Sequence, residues 1–132
     1  MEIKVTQEQG RVPVTVLQLT GDLSGETYEQ LQNSAQQAIE AGARNMVIDM
    51  SGVAYMGSAG IRAINQIFNW LRSLPGGEDE AAIPAGLRDG TYKSRRLKLA
   101  SLHQQVYKTL SVSGIDMFIE FYPDLQKAVA SF

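Results

Sequence analysis

A chain of 132 residues, 44% apolar and 20% charged, has the size and mix that fold around a single core. Its net charge of −2, with acidic and basic residues intermixed, lacks the basic face of a nucleic-acid binder, and the absence of cysteine excludes disulfides, thiolate metal sites and a thiol nucleophile. No leader-like opening and no apolar run near the ~20 residues of a membrane span are present, so a cytoplasmic location without membrane insertion is expected.

In chain order, Ile3 and Val5 alternate with Glu2, Lys4 and Thr6, which predicts a half-buried strand. Gln9-Gly10-Arg11 makes a turn, and a second strand runs from Val12 to Leu19. Its apolar parity shifts between Val16 and Leu17, so it is either buried on both faces or bulged. So short a connection predicts an antiparallel hairpin. Thr20-Gly21-Asp22-Leu23-Ser24 then breaks the strand. Ser24 is the expected helix N-cap, with Leu23 packing on Tyr28 as a hydrophobic staple. Tyr28, Leu31, Ala35, Ala38 and Ile39 form one helical stripe, and Gly42 supplies the left-handed stop.

The run 45–50 reads as a strand buried on both faces, and Asp49 at its end is expected to hydrogen-bond loop amides near 51 or 57. A loop then delivers Ser58 to the first turn of a helix over about 58–73, striped by Ile61, Ile64, Phe68 and Leu71. Serine there is an ordinary cap. It also stands where unpaired amides and the macrodipole accept a phosphate, beside Tyr55, Met56 and Ile61. Trp70 lies off the main stripe and either forms a partly exposed contact patch or fills an edge of the core, the second being the reading preferred. Residues 74–95, with the acidic cluster Glu78-Asp79-Glu80 and Pro84, Gly86 and Gly90, read as a long loop. Arg95, Arg96 and Lys98 are placed to pair with that cluster or with a partner. Leu97, Leu99 and Ala100 resume as a strand. His103 opens a short helix carrying Val106, Tyr107 and Leu110, closed by Gly114. Met117 to Phe121 is β-prone, and Tyr122-Pro123-Asp124 opens a terminal helix with Leu125, Ala128 and Val129 inward. The class is α/β: a mixed sheet of about five strands, the first hairpin antiparallel and the remainder mainly parallel, with about four helices packed on it.

The central pattern Val47-Ile48-Asp49-Met50-Ser51-Gly52-Val53-x-Tyr55-Met56-Gly57-Ser58-Ala59-Gly60-Ile61 resembles the signature of STAS domains, the anti-sigma factor antagonists and their relatives. Leu19-Thr20-Gly21-Asp22-Leu23 is similar to the family's strand-end motif, and Leu110-x-x-x-Gly114-Ile115 to its late motif. The resemblance implies a STAS-like single domain over residues 1–132, with an atypical insertion or long loop at about 74–95. It also implies binding to an anti-sigma factor that is a serine/threonine switch kinase, or to a related switch protein. Phosphorylation of one serine, aligned to Ser58, would release that partner, and a matching phosphatase would restore it. The docking face implied around Ser58 comprises Tyr55, Met56, Gly57, Ala59, Gly60, Ile61 and Arg62, with Asp22 and Ser24 on the adjacent loop. Gly57 stands where the family often has aspartate, and Ala59 where a second Ser or Thr is common. The insertion argues against a standard sporulation or stress-response antagonist.

Other classes fit less well. A STAS scaffold that is never phosphorylated would place its specificity in the 74–95 loop. Gly57-Ser58-Ala59-Gly60 at a helix start could hold an anion or nucleotide, but it lacks the lysine and spacing of a P-loop. It misses the Gly-x-Ser-x-Gly elbow by one position, and the single histidine, His103, lies far along the chain. A serine without a base is not an activated nucleophile, so no enzymatic activity, cofactor or metal is expected.

Overall fold

A computed structural model describes residues 1–74 and 94–132; Glu78-Asp79-Glu80 and most of the expected long loop lie outside the described residues. The sheet is built from β1 (Glu2–Gln9), β2 (Pro13–Thr20), β3 (Met46–Gly52), β4 (Leu97–Ala100) and β5 (Glu120–Tyr122), in the order β1-β2-β3-β4-β5. β1 and β2 pair antiparallel, and the three remaining pairings are parallel. The helices among the described residues are α1 (Tyr28–Glu40), α2 (Ser58–Arg72), α3 (Gln104–Ser113) and α4 (Leu125–Ala130), none long and apolar enough to cross a membrane. This is the mixed sheet that the strand–helix alternation predicts.

The sheet has two unequal apolar faces. Leu17, Leu19, Met46, Ile48 and Leu97 pack with Leu31 and Ala35 of α1, Ile64 and Ile67 of α2, and Val106 and Leu110 of α3. The opposite face, Val14, Val16, Val47 and Ala100, is covered by Ala128 and Val129 of α4. β2 is therefore buried on both sides, which accounts for its parity shift; pairing with β3 is unbroken at Val16 and Leu17 and slips only between Gln18 and Thr20. Half-buried Trp70 packs at the margin of the larger core.

Local expectations needed correction at several points. Val5 is 48% exposed because it lies on an edge strand, beside an open groove at the end of α1. Ser24 does not cap α1: its carbonyl accepts from the Thr27 and Tyr28 amides in the turn before the helix, and Thr27 holds the cap position. Leu23 is fully buried beside Gly60, in the core cluster against which Tyr28 packs. Gly42, at φ +111°, does end α1, with the Ala43 amide reaching back to the Ala38 carbonyl. The stretch Met117–Phe121 is not a continuous strand. Gly114 in the left-handed region starts a 3₁₀ turn over Ile115–Met117, and pairing begins only at Glu120. Tyr107 faces outward, 52% exposed, and stacks edge-on against Phe121 at 5.9 Å. Arg96 and Lys98 are buried, and the expected pairing with Glu78-Asp79-Glu80 lies outside the described residues. Arg96 donates to the Leu71 and Leu74 carbonyls at the end of α2, and Lys98 pairs with Glu120 and Ser131.

Candidate functional site

The C-terminal end of β3 fixes the loop that leads to Ser58. Asp49, 3% exposed, accepts from the Ser51 amide at 3.1 Å and from the Gln18 side chain at 3.4 Å, so its carboxylate folds the chain out of the strand. Gly52 lies so near β2 that a Cβ would stand 2.6 Å from the Leu19 carbonyl oxygen. The loop then pairs with the segment after β2. The Leu23 amide donates to the Tyr55 carbonyl at 3.0 Å, and the Gly57 amide donates to the Leu23 carbonyl at 2.9 Å. This short parallel bridge turns Leu23 and Met56 into the core. Gly57 is extended (φ −98°, ψ −178°) and occupies the N-cap, so Ser58 is the first helical residue rather than the cap.

A second element grips the same loop from outside. Gln105 on α3 accepts from the Met56 amide at 3.0 Å and donates to the Met56 carbonyl at 3.3 Å, satisfying both backbone groups with one side chain. Its amide nitrogen also reaches Thr109 Oγ1 at 3.0 Å. The His103 ring Nε2 contacts the Ser51 carbonyl at 2.6 Å. That hydrogen bond ties the start of α3 to the end of β3. Between β4 and α3 the chain turns through Ser101 at φ +62°, with its amide bonded to the Tyr122 carbonyl.

Ser58 is exposed at the N-terminus of α2, whose first turn contains no acidic residue. It borders an open groove of about 510 Å³ between α2 and α3. Tyr55, Gly57 and Ile61 form one wall, and Gln105, Lys108, Thr109 and Val112 form the other. Tyr55 is 50% and Val112 82% exposed, large apolar surface for a rim. Lys108 and Arg62 are exposed cations, the latter one turn along α2 from Ser58.

Of the residues expected around Ser58, the structure places Tyr55, Gly57, Ile61 and Arg62 at the surface beside it. Asp22 is exposed and Ser24 half-buried on the loop that carries Leu23. Met56, Ala59 and Gly60 are corrected to the interior: Met56 is 1% and Ala59 5% exposed, and Gly60 is buried. Their packing shapes the loop, and Met56 also lies against the groove. Sequence reasoning missed the α3 wall. The signal was present, because residues 105, 108, 109 and 112 recur at helical spacing and so share a face.

The STAS domain family model matches residues 4–76, more than half of the chain. No curated protein matches the chain significantly in sequence. In structure it is similar to an anti-sigma factor antagonist from Mycobacterium paratuberculosis, with a TM-score of 0.70 at 17% identity over 98% of this chain and 93% of that one. An anti-sigma-factor antagonist (STAS) domain protein from Planctomyces limnophilus gives a TM-score of 0.70 at 22% identity over 98% and 96%. The Bacillus cell fate determinant SpoIIAA in its phosphorylated form gives a TM-score of 0.63 at 16% identity over 98% of both chains. At these identities the structural likeness establishes the fold, and it extends past the end of the sequence match into α3, β5 and α4. The chain belongs to the STAS domain family.

Proposed function

We propose that this chain is a non-enzymatic protein-interaction module acting as an anti-sigma factor antagonist in the cytoplasm. Its partner is an anti-sigma factor that is a serine kinase, and phosphorylation of Ser58, reversed by a phosphatase, controls the binding. The observation that carries the reading is the exposed Ser58 hydroxyl at the positive end of α2, on the lip of an apolar groove. Support comes from the structural neighbours, several of which are anti-sigma factor antagonists and one of which is a phosphorylated form. The whole chain works as one STAS unit, with residues 74–95 as an insertion.

The chemistry of release is electrostatic. The groove combines apolar Tyr55, Ile61 and Val112 with the cation Lys108, and exposed Arg62 lies one turn along α2 from Ser58, so the surface suits a partner segment of mixed acidic and apolar character. A phosphate on Ser58 carries about −1.5 to −2 charges and competes for those same cations. Desolvating it against an acidic segment costs about 3–4 kcal/mol, two to three powers of ten in affinity. The fold need not change.

Incubation with ATP and the anti-sigma serine kinases of the source organism, followed by intact mass, tests the modification. A gain of one phosphate, lost in Ser58→Ala, is expected. Ser58→Asp should bind the partner about two to three powers of ten more weakly with an unchanged circular dichroism spectrum. Equal binding by wild type and Ser58→Asp would sink the switch. Gly57 in place of a carboxylate favours a second reading, a scaffold that no kinase modifies, and an unchanged intact mass would select it.

A further inference from the structure

We propose that β1 is a self-association edge, along which two copies of this chain pair antiparallel about a two-fold axis at Thr6. β1 is the outermost strand of the sheet, eight residues long, and pairs with β2 without a register break. It contains no proline, and most of its residues are exposed. Among the described residues nothing pairs with this long, regular edge, which is a ready template for another strand, and proteins that stay apart usually blunt one.

The hydrogen-bond directions define what this edge offers. The Thr15 amide donates to the Asn45 carbonyl, so the backbone groups of alternate β2 residues from Thr15 point to β3. Those of Val14, Val16, Gln18 and Thr20 therefore point to β1, where they meet Glu8, Thr6, Lys4 and Glu2. The amides and carbonyls of Ile3, Val5 and Gln7 are left facing outward. Val5, 48% exposed, lies beside a groove bordered by Ala38, Ala41 and Ala43 at the end of α1, so an added strand would cover it.

Charge selects both the occupant and the register. An antiparallel partner must set outward-facing residues opposite one another, which restricts the axis to a residue position. An axis at Val5 sets Glu2 against Glu8 twice, and one at Lys4 sets two ammonium groups face to face. An axis at Gln7 leaves Lys4 opposite Gly10. An axis at Ile3 pairs Lys4 with Glu2 but overlaps only residues 1–5, whereas the axis at Thr6 spans the whole strand and sets Lys4 against Glu8 in two symmetry-related pairs, with Val5 opposite Gln7. Cross-strand neighbours of this kind lie about 4.5–5.5 Å apart and attract when oppositely charged. A second copy of β1 therefore complements the edge, and this surface is separate from the one that carries Ser58.

Sedimentation velocity on the 132-residue chain, from micromolar to millimolar concentration, tests the pairing. The wild type is expected to dimerise as concentration rises. Lys4→Glu and Glu8→Lys alter exposed side chains only, and each should weaken the dimer about tenfold or more, while the double reversal restores it. In a chain with no native cysteine, Thr6→Cys should form a disulfide-linked dimer under mild oxidation, and Val5→Cys should not. A wild type that stays monomeric throughout overturns the proposal, as does a dimer indifferent to both reversals. A dimer that cross-links through Val5→Cys alone overturns the register.

Discussion

Gly60 shows how a single residue positions the Ser58 end of α2. A Cβ there would stand 2.7 Å from Met56 Cγ and 2.9 Å from Leu23 Cγ, and both side chains are fully buried with nowhere to move. Helix propensity alone favours alanine over glycine by about 1 kcal/mol. Overpacking a closed site costs about 1–3 kcal/mol or more, and here it wins. Gly60→Ala is therefore expected to destabilise the protein by about 1–2 kcal/mol in urea unfolding. Gly25→Ala, with nothing within 4 Å of the new methyl, should lack that penalty. An unchanged or raised urea midpoint for Gly60→Ala would mean that the loop gives way. The glycine itself was legible in the sequence as part of a motif, but its reason was not. Whether Met56 turns in or out depends on the two-residue bridge with Leu23, a contact 33 positions away in the chain that no local pattern encodes.

Among the elements, those with a strong internal period were the most legible. The stripes of α1 and α2 and the apolar run of β3 place these elements to within a few residues, because burial on one face dictates spacing. β5 was misplaced because its neighbours Met117 and Phe118 are as β-prone as a strand. Their backbone is committed instead to the 3₁₀ turn that Gly114 begins. α3 was legible as a helix, yet its task was not. Gln105 binds the amide and the carbonyl of Met56, so α3 holds the loop from which Ser58 emerges. Gln105→Leu removes both bonds while keeping most of the bulk. A lost neutral hydrogen bond costs about 0.5–1.5 kcal/mol, and more where the backbone group stays shielded from water. The expected result is a loss of about 1–3 kcal/mol, with faster amide exchange at Met56 and Gly57 and core strands that exchange only as global stability requires. Protection at Met56 equal to wild type would show that the Leu23 bridge holds the loop alone.

On the scale of the whole molecule, the two faces of the sheet are guarded very unequally. Among the described residues three helices cover one face, while the other is covered mainly by the six residues of α4. So short a helix has little stability of its own, and tertiary contacts must hold it in place. Asp124 caps it, its carboxylate accepting from the Lys127 amide at 2.8 Å. Lys98 ties down its far end. The buried ammonium donates to Ser131 Oγ at 2.8 Å and to the Ser131 carbonyl at 3.1 Å, lies 3.5 Å from Glu120, and stands 4.5 Å from the centre of the Phe132 ring. Glu120 is 40% exposed along its side chain, so water can replace the lysine there, whereas the Ser131 bonds have no such substitute. Lys98→Met keeps the stem and deletes the charge, and a loss of about 1–3 kcal/mol follows from the charge-assisted bonds alone. If those bonds fasten α4, its amides should exchange faster than in wild type and an apolar dye should bind over Val14, Val16 and Val47. The groove beside Ser58 lies across the sheet, held by Gln105 and the Leu23 bridge, so partner binding should survive the substitution. Lost binding with α4 still protected would mean that the two faces are coupled through the central strands, and that the terminal helix contributes to more than the shielding of its own side.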